Sequence, residues 1–410
     1  MISLKPFKAV RPTRDKAYLV ATRSYLTYDP AVLENKLNHN PYTFLHIITP
    51  PGAMKHKPGK ARYRKVRKAY EEFLEEGILI QEAQPAYYLY RQVKEGNEYI
   101  GIVAGVSVKD YEEGRIKIHE KTLTARERMF TDYLELTGFN AEPVLLTYTE
   151  DLELNQLFAR YIEERSEYEF TSTDRVLHQL WPITDADDCR KITESFGQKE
   201  ALYVADGHHR CASSALLSKR LRENSTDEGE AAEFFMAYLI GEDHLRVYDF
   251  NRLIKLEGEI SRAQLLAELR KKFLVEPQNS RPYRPEKRHE MSMYFGKKWY
   301  KLVPKTGSFD PQDPVGQLDA ELLNRFILKP IFKINNLKTD KRVGFLPGTE
   351  GMAGLKDKVD SGDYDLAFAL YPVSVDQIME VADAGMTMPP KTTYIEPKLR
   401  SGLTIYSLFD

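Results

Sequence analysis

Cysteine is nearly missing from this chain: Cys189 and Cys211 are the only two in 410 residues. That excludes a disulfide scaffold and a cysteine-rich zinc module, and a chain this long buries enough surface to need neither. Long apolar runs are missing as well. None approaches the roughly 20 residues of a membrane span, and Met1–Phe7 lacks the apolar stretch of a signal peptide, so the sequence reads as a soluble, cytoplasmic protein. An excess of charge of one sign is also absent. With 59 Lys and Arg against 61 Asp and Glu the net charge is −2, which leaves no electrostatic footprint for nucleic acid. There is no internal repeat, no Walker A sequence, no protein-kinase signature set and no HExxH spacing. Aromatic residues are abundant, at 25 Tyr and 19 Phe, which suits a filled core rather than a disordered tail.

The densest chemistry lies in Ala201–Leu217, ALYVADGHHRCASSALL. The apolar run Ala201–Ala205 predicts a buried strand, and Ala212–Leu217 predicts the start of a helix. Between them stand Asp206, Gly207, His208, His209 and Arg210. A strand-to-helix turn presents unpaired backbone N–H groups, so this segment outlines a phosphate or anion site. Gly207 permits a sharp turn and close ligand approach, and Arg210 can clamp two phosphate oxygens with its planar fork. The bland alternative is a surface turn whose histidines cap a helix.

A second cluster closes Arg115–Glu120, an alternating strand ending on His119 and Glu120. Thr124-Ala125-Arg126-Glu127 reads as a capping box that opens a helix running to Gly138. Lys55–Tyr70 is strongly basic and continues into Glu71–Gly77, which predicts a solvated helix closed by a glycine. Tyr87–Val93 and Tyr99–Val106 predict a hairpin, Asn155–Glu169 a helix, Arg175–Ile183 a strand carrying Trp181, and Phe234–Ile240 a buried strand. Asn224–Gly229 reads as a surface loop and Pro277–Arg288 as a boundary or connecting loop. Near the C-terminus, Asp365–Leu370 reads as a strand and Val375–Ala384 as a helix. A Pro-stiffened loop follows, which would hold Lys391, Thr392, Thr393 and Lys398 in fixed positions, either lining an anionic pocket or serving as a rigid closing segment.

Four segments in order, Asn40–His46, His119-Glu120, Ala205–Arg210 and Met388–Leu399, resemble the prokaryotic DUF1015 family. Thr27-Tyr28-Asp29 departs from the Pro-Tyr-Asp usual in that family, and Asn251-Arg252 departs from its His-Arg pair. The Asp-Gly-His-His-Arg turn is also similar to a motif of the ParB/sulfiredoxin fold, including archaeal free serine kinases. There the turn binds nucleotide phosphates and a glutamate acts as base on the serine hydroxyl.

The resemblance implies a mixed α+β protein. Residues 1–250 would form a ParB/sulfiredoxin-like catalytic core with an N-terminal extension, and 251–410 an αβ region closing the site with the Met388–Tyr394 loop. It further implies phosphoryl transfer between ATP or ADP and a small hydroxy amino acid, most plausibly free serine, since family members tend to occur beside genes of phosphoserine biosynthesis. In that reading Gly207, His208, His209, Arg210, Lys391 and Lys398 bind nucleotide. Arg210 and one of His208 or His209 neutralise the transferred group, Asp206 holds Mg²⁺, Glu120 orients or deprotonates the hydroxyl with His119 also counted as catalytic, and Trp181, Thr392 and Thr393 contact the substrate. The alternatives are a nucleotide-binding regulator without catalysis and, last, a metal hydrolase built from His119, Glu120, Asp206, His208 and His209.

Overall fold

In the computed structural model, which describes residues 1–50, 59–224 and 230–409, contacts divide the chain into two units. The first is Met1–Leu245 with Pro397–Asp410, and the second is Arg246–Glu396. Pro397–Asp410 thus groups with the first unit, and Met388–Tyr394, the loop expected to close the site, with the second. Residues 55–58 of the basic segment and 225–229 of the expected surface loop lie outside the described residues.

Among the described residues the first unit is built on a nine-stranded sheet. In chain order its strands are β1 (Leu4–Lys5), β2 (Tyr87–Lys94), β3 (Asn97–Ser107), β4 (Ile116–Lys117), β5 (Val144–Tyr148), β6 (Tyr168–Thr171), β7 (Leu177–Ile183), β8 (Leu202–Asp206) and β9 (Phe234–Gly241). They lie in the order β4-β8-β5-β9-β3-β2-β7-β6, with β1 against β3. The β2–β3 hairpin forms as expected, because Glu95 and Gly96 both take positive φ, and such a turn matches the right-handed twist of its strands. Alternate residues such as Ile102, Ala104, Leu146, Val204 and Leu239 line one buried face. Phe158 of α3 (Leu152–Ile162) and Ile192 and Phe196 of α4 (Ala186–Gln198) join the same core.

Three helices of this unit differ from the sequence expectation. Helix α1 (Lys60–Glu75) is not solvated all round: Tyr63, Val66, Ala69, Tyr70 and Phe73 form a buried stripe beneath its charges. Helix α2 (Thr124–Thr137) ends at a left-handed Gly138 as expected, yet no capping box forms. Thr124 is already helical, and Thr122 bonds Glu127 instead. Helix α3 stops at Ile162, and Tyr168 and Glu169, expected in the same helix, open the edge strand β6 (Tyr168–Thr171) instead.

The second unit carries a seven-stranded sheet among the described residues. Its strands are β10 (Arg246–Ile254), β11 (Phe273–Asn279), β12 (Met291–Phe295), β13 (Lys298–Pro304), β14 (Val343–Pro347), β15 (Leu366–Leu370) and β16 (Thr393–Glu396). The order is β11-β13-β12-β15-β10-β14, with β16 on the first half of β10. The expected loop at 277–288 therefore begins inside a strand. The helix expected after β15 forms as Val375–Asp383, opened by a true capping box between Ser374 and Gln377. Strands and helices of both directions and periods make this a mixed α+β protein.

Candidate functional site

Strand β8 delivers Asp206 to the sheet end, Gly207 turns the chain, and helix α5 (His208–Glu223) begins at once. His208, His209 and Arg210 are therefore the first helical residues, four positions before the start expected at Ala212. The helix opens with no side-chain cap, which leaves its positive dipole end for a ligand. Gly207 has φ of +101°, and a Cβ there would stand 3.0 Å from Arg210 Nε, so the guanidinium folds directly over the turn. Arg210 Nη1 reaches the Glu142 carboxylate at 3.0 Å and the Pro143 carbonyl at 2.6 Å. All its hydrogen bonds use Nη1, so Nε and Nη2 remain for an anion among the described residues.

Asp206 is half-exposed and pairs with Lys398, whose Nζ lies 3.2 Å from Oδ2. Burial raises the Asp206 carboxyl, but Lys398 and Arg210 outweigh it and hold the group near a pKa of about 2. It is an anion at any working pH.

The two strand exits meet because β4 runs parallel to β8, with Leu202 opposite Ile116 and Tyr203 opposite Lys117. His119 and His208 consequently pack edge to face at 4.5 Å. The His119 backbone N–H donates to His208 Nε2 at 3.4 Å, so that nitrogen carries no proton. Burial pulls His119 down to about 4, and burial together with His119 pulls His208 well below its usual value. Both rings are neutral at pH 7. Of the two histidines of the turn, His208 is thus a buried, neutral ring.

A cavity of about 530 Å³ joins these parts. Asp206 to Arg210, Glu142 and Ser213 form one part of its wall, and Glu120 lines it too. One face of α2 adds Arg126, Met129, Phe130, Tyr133 and Leu134, α1 adds Arg62, Tyr63 and Val66, and Tyr25, Phe44, Ile48 and Ser401 are among the others that line it. The apolar and aromatic wall was not anticipated from sequence. The 3.6-residue spacing of Arg126, Met129, Phe130 and Tyr133 was the available signal, but nothing in it says that the face borders a cavity rather than a core.

Other expected site residues are not among those lining this cavity. Trp181 is buried in the core, where its indole N–H donates to the Glu164 carbonyl at 3.0 Å, so it contacts no cavity ligand. Lys391, Thr392 and Thr393 belong to the second unit. There the Lys391 ammonium sits 5.2 Å over the Phe250 ring, the Thr392 hydroxyl donates to the Pro389 carbonyl, and Thr393 starts β16. His209 and Glu120 do reach the cavity wall. Among the described residues no group of three or more His, Cys, Asp or Glu side chains could hold a metal. Nor is any helix among them long and apolar enough to cross a membrane.

The sequence matches the profile of a family described as "Protein of unknown function (DUF1015)" over residues 4–321. No curated protein matches. Among solved structures the chain is similar to a free serine kinase in complex with AMP, at 13% identity and a TM-score of 0.36, covering 74% of this chain and 91% of that one. It is similar to SbnI with a C-terminal truncation from Staphylococcus aureus, at 14% identity and a TM-score of 0.40, covering 75% and 87%. A conserved hypothetical protein from Pyrococcus furiosus matches at 13% identity and a TM-score of 0.36, covering 77% and 97%.

Proposed function

Because the chain belongs to the DUF1015 family, whose description names no activity, its function has to be read from the cavity, and we propose that it transfers a phosphoryl group between a nucleotide and a small hydroxy amino acid. ATP or ADP is the nucleotide, and free L-serine or its phosphate is the leading partner. One observation carries this reading: a single cavity of about 530 Å³ holds an uncapped helix start with Arg210 over a glycine turn, a carboxylate in Glu120, and an aromatic wall. That volume lies in the range of ordinary small-molecule sites.

Phosphoryl transfer needs positioning and charge stabilisation more than covalent chemistry. The start of α5 and the free edge of Arg210 would cradle the phosphates. Glu120 would take the proton of the attacking hydroxyl as its oxygen bonds phosphorus, and the electron pair of the broken bridge would leave on the nucleotide. His119 and His208, both neutral, would support the turn rather than carry charge. Mg²⁺ would neutralise the phosphate oxygens. The fit for that ion is a single ionised carboxylate, Asp206, which suffices where phosphates and water supply the remaining ligands.

Asp206 is engaged by Lys398, and this favours a second reading, a regulator that binds nucleotide without turnover. Incubating the protein with serine, Mg²⁺ and ATP or ADP, then measuring phosphoserine by mass spectrometry, separates the two. Phosphoserine formation supports the transferase, and nucleotide binding without product supports the regulator. A metal hydrolase lacks its ligand set among the described residues.

A further inference from the structure

We propose that Arg400 is a positioning residue that anchors the segment Pro397–Asp410 so that the Lys398 ammonium is held on Asp206 at the turn that lines the cavity. The inference rests on the reading of that turn as a nucleotide site. Arg400 touches none of the cavity. Its side chain is only 6% exposed and faces the opposite way, into a polar network rooted in the sheet. Nη2 donates to both Asp174 oxygens, at 2.6 and 2.7 Å, and to Ser172 Oγ at 3.1 Å. Nε donates to His178 Nε2 at 3.3 Å, and His178 Nδ1 in turn meets the Tyr90 hydroxyl at 2.7 Å.

His178 lies in β7, which pairs with β2 on one side and β6 on the other, so the anchor point is rigid. Two residues before Arg400, Lys398 reaches Asp206. One residue after it, Ser401 lines the cavity and exchanges backbone hydrogen bonds with Thr22, at 2.8 and 3.2 Å. A buried guanidinium is costly to desolvate, and an apolar side chain would fill the same space more cheaply. What the charged network adds is one defined geometry, and the group held by that geometry is the Lys398 ammonium on Asp206. Without the anchor, two or three residues of extended chain would let Lys398 drift by several times about 3.5 Å.

The test reads Lys398 directly. In the full chain, acylation of each lysine by a brief pulse of acetic anhydride is followed by mass spectrometry and normalised to the second-unit lysines. Arg400→Ala should raise Lys398 labelling severalfold, about as far as Asp206→Asn does by removing its partner. If Arg400→Ala raises labelling of all lysines the variant has unfolded, and Asp174→Asn, which keeps shape, decides instead. Unchanged Lys398 labelling in the folded variants overturns the proposal whatever the protein binds.

Calorimetry with ADP supplies the second arm. Arg400→Ala and Lys398→Ala should each weaken binding severalfold, and the double variant no further than either alone, because both remove the same contact. Additive losses would overturn the anchoring role. A wild-type protein that binds no nucleotide would instead refute the proposed function, while the labelling result still judges the anchor.

Discussion

Glu120 and Arg210 act at different moments of the proposed reaction, so substitution should separate them. Glu120→Gln keeps shape and removes the base, and turnover should fall by roughly 10²–10⁴ while nucleotide affinity stays near wild type. Arg210→Lys should weaken both affinity and turnover, since a point charge cannot replace a planar fork. Calorimetry and a phosphoserine assay report the two separately, and unchanged affinity in both Arg210→Lys and Arg210→Ala would remove the turn as the phosphate site. Gly207→Ala should also cost affinity. Its φ of +101° strains any L side chain by about 1–2 kcal/mol, and the new methyl would push Arg210 off the turn.

At the scale of elements, the site depends on β3 and β9 staying in register at the sheet centre. Gly101 of β3 pairs with Ile240 of β9 beside the Tyr238 ring, and a Cβ there would stand 2.8 Å from that ring and closer still to the Leu239 carbonyl. The ring has nowhere to go, because its hydroxyl donates to the Tyr90 and Tyr99 carbonyls. Gly101→Ala should therefore destabilise the protein by about 3 kcal/mol, the upper end of ordinary overpacking, read as a lowered denaturant midpoint. A midpoint within experimental scatter of wild type would show that the sheet opens to accept the methyl.

The same scale shows what periodicity could and could not reveal. Apolar and aromatic runs bounded by turn residues found β2, β3, β7 and β9, most of whose residues are buried. The same reading missed the buried stripe of α1 because eight Lys and Arg residues in Lys55–Tyr70 hide Tyr63, Val66 and Tyr70. It also misplaced the opening of α5. His208 and His209 are indifferent helix formers, and what lets the helix open on them is Gly207 turning the chain, a conformation that composition does not specify.

Over the whole molecule, buried histidines should set the response to acid. His119 and His178 have folded-state values near 4 and 3, pulled down chiefly by burial, against about 6.5 when unfolded. Below pH 6.5 the unfolded chain therefore binds protons that the native one refuses. Stability is fully present above that pH and is lost as pH falls, by up to about 1.4 kcal/mol per pH unit for each ring, until the folded value is reached. Asp206 and Asp174, both held near 2, add their loss only below about pH 4. Urea midpoints between pH 7 and pH 4.5 should thus decline, and less steeply in His178→Gln. An identical slope in that variant would exclude His178 as a contributor.

The sequence by itself determined the chemistry of the turn. Asp206, Gly207 and Arg210 follow an apolar strand, and a glycine between a carboxylate and an arginine at a strand end has few local conformations open to it. Only the tertiary structure decided which other groups join that turn. Glu120 comes to the cavity because β4 and β8 run parallel, Lys398 comes to Asp206 because the chain returns after residue 396, and Trp181 is withdrawn into the core by its neighbours on β7. Each of these is a long-range pairing, chosen by the burial of a whole sheet face, and no short window of residues contains that information.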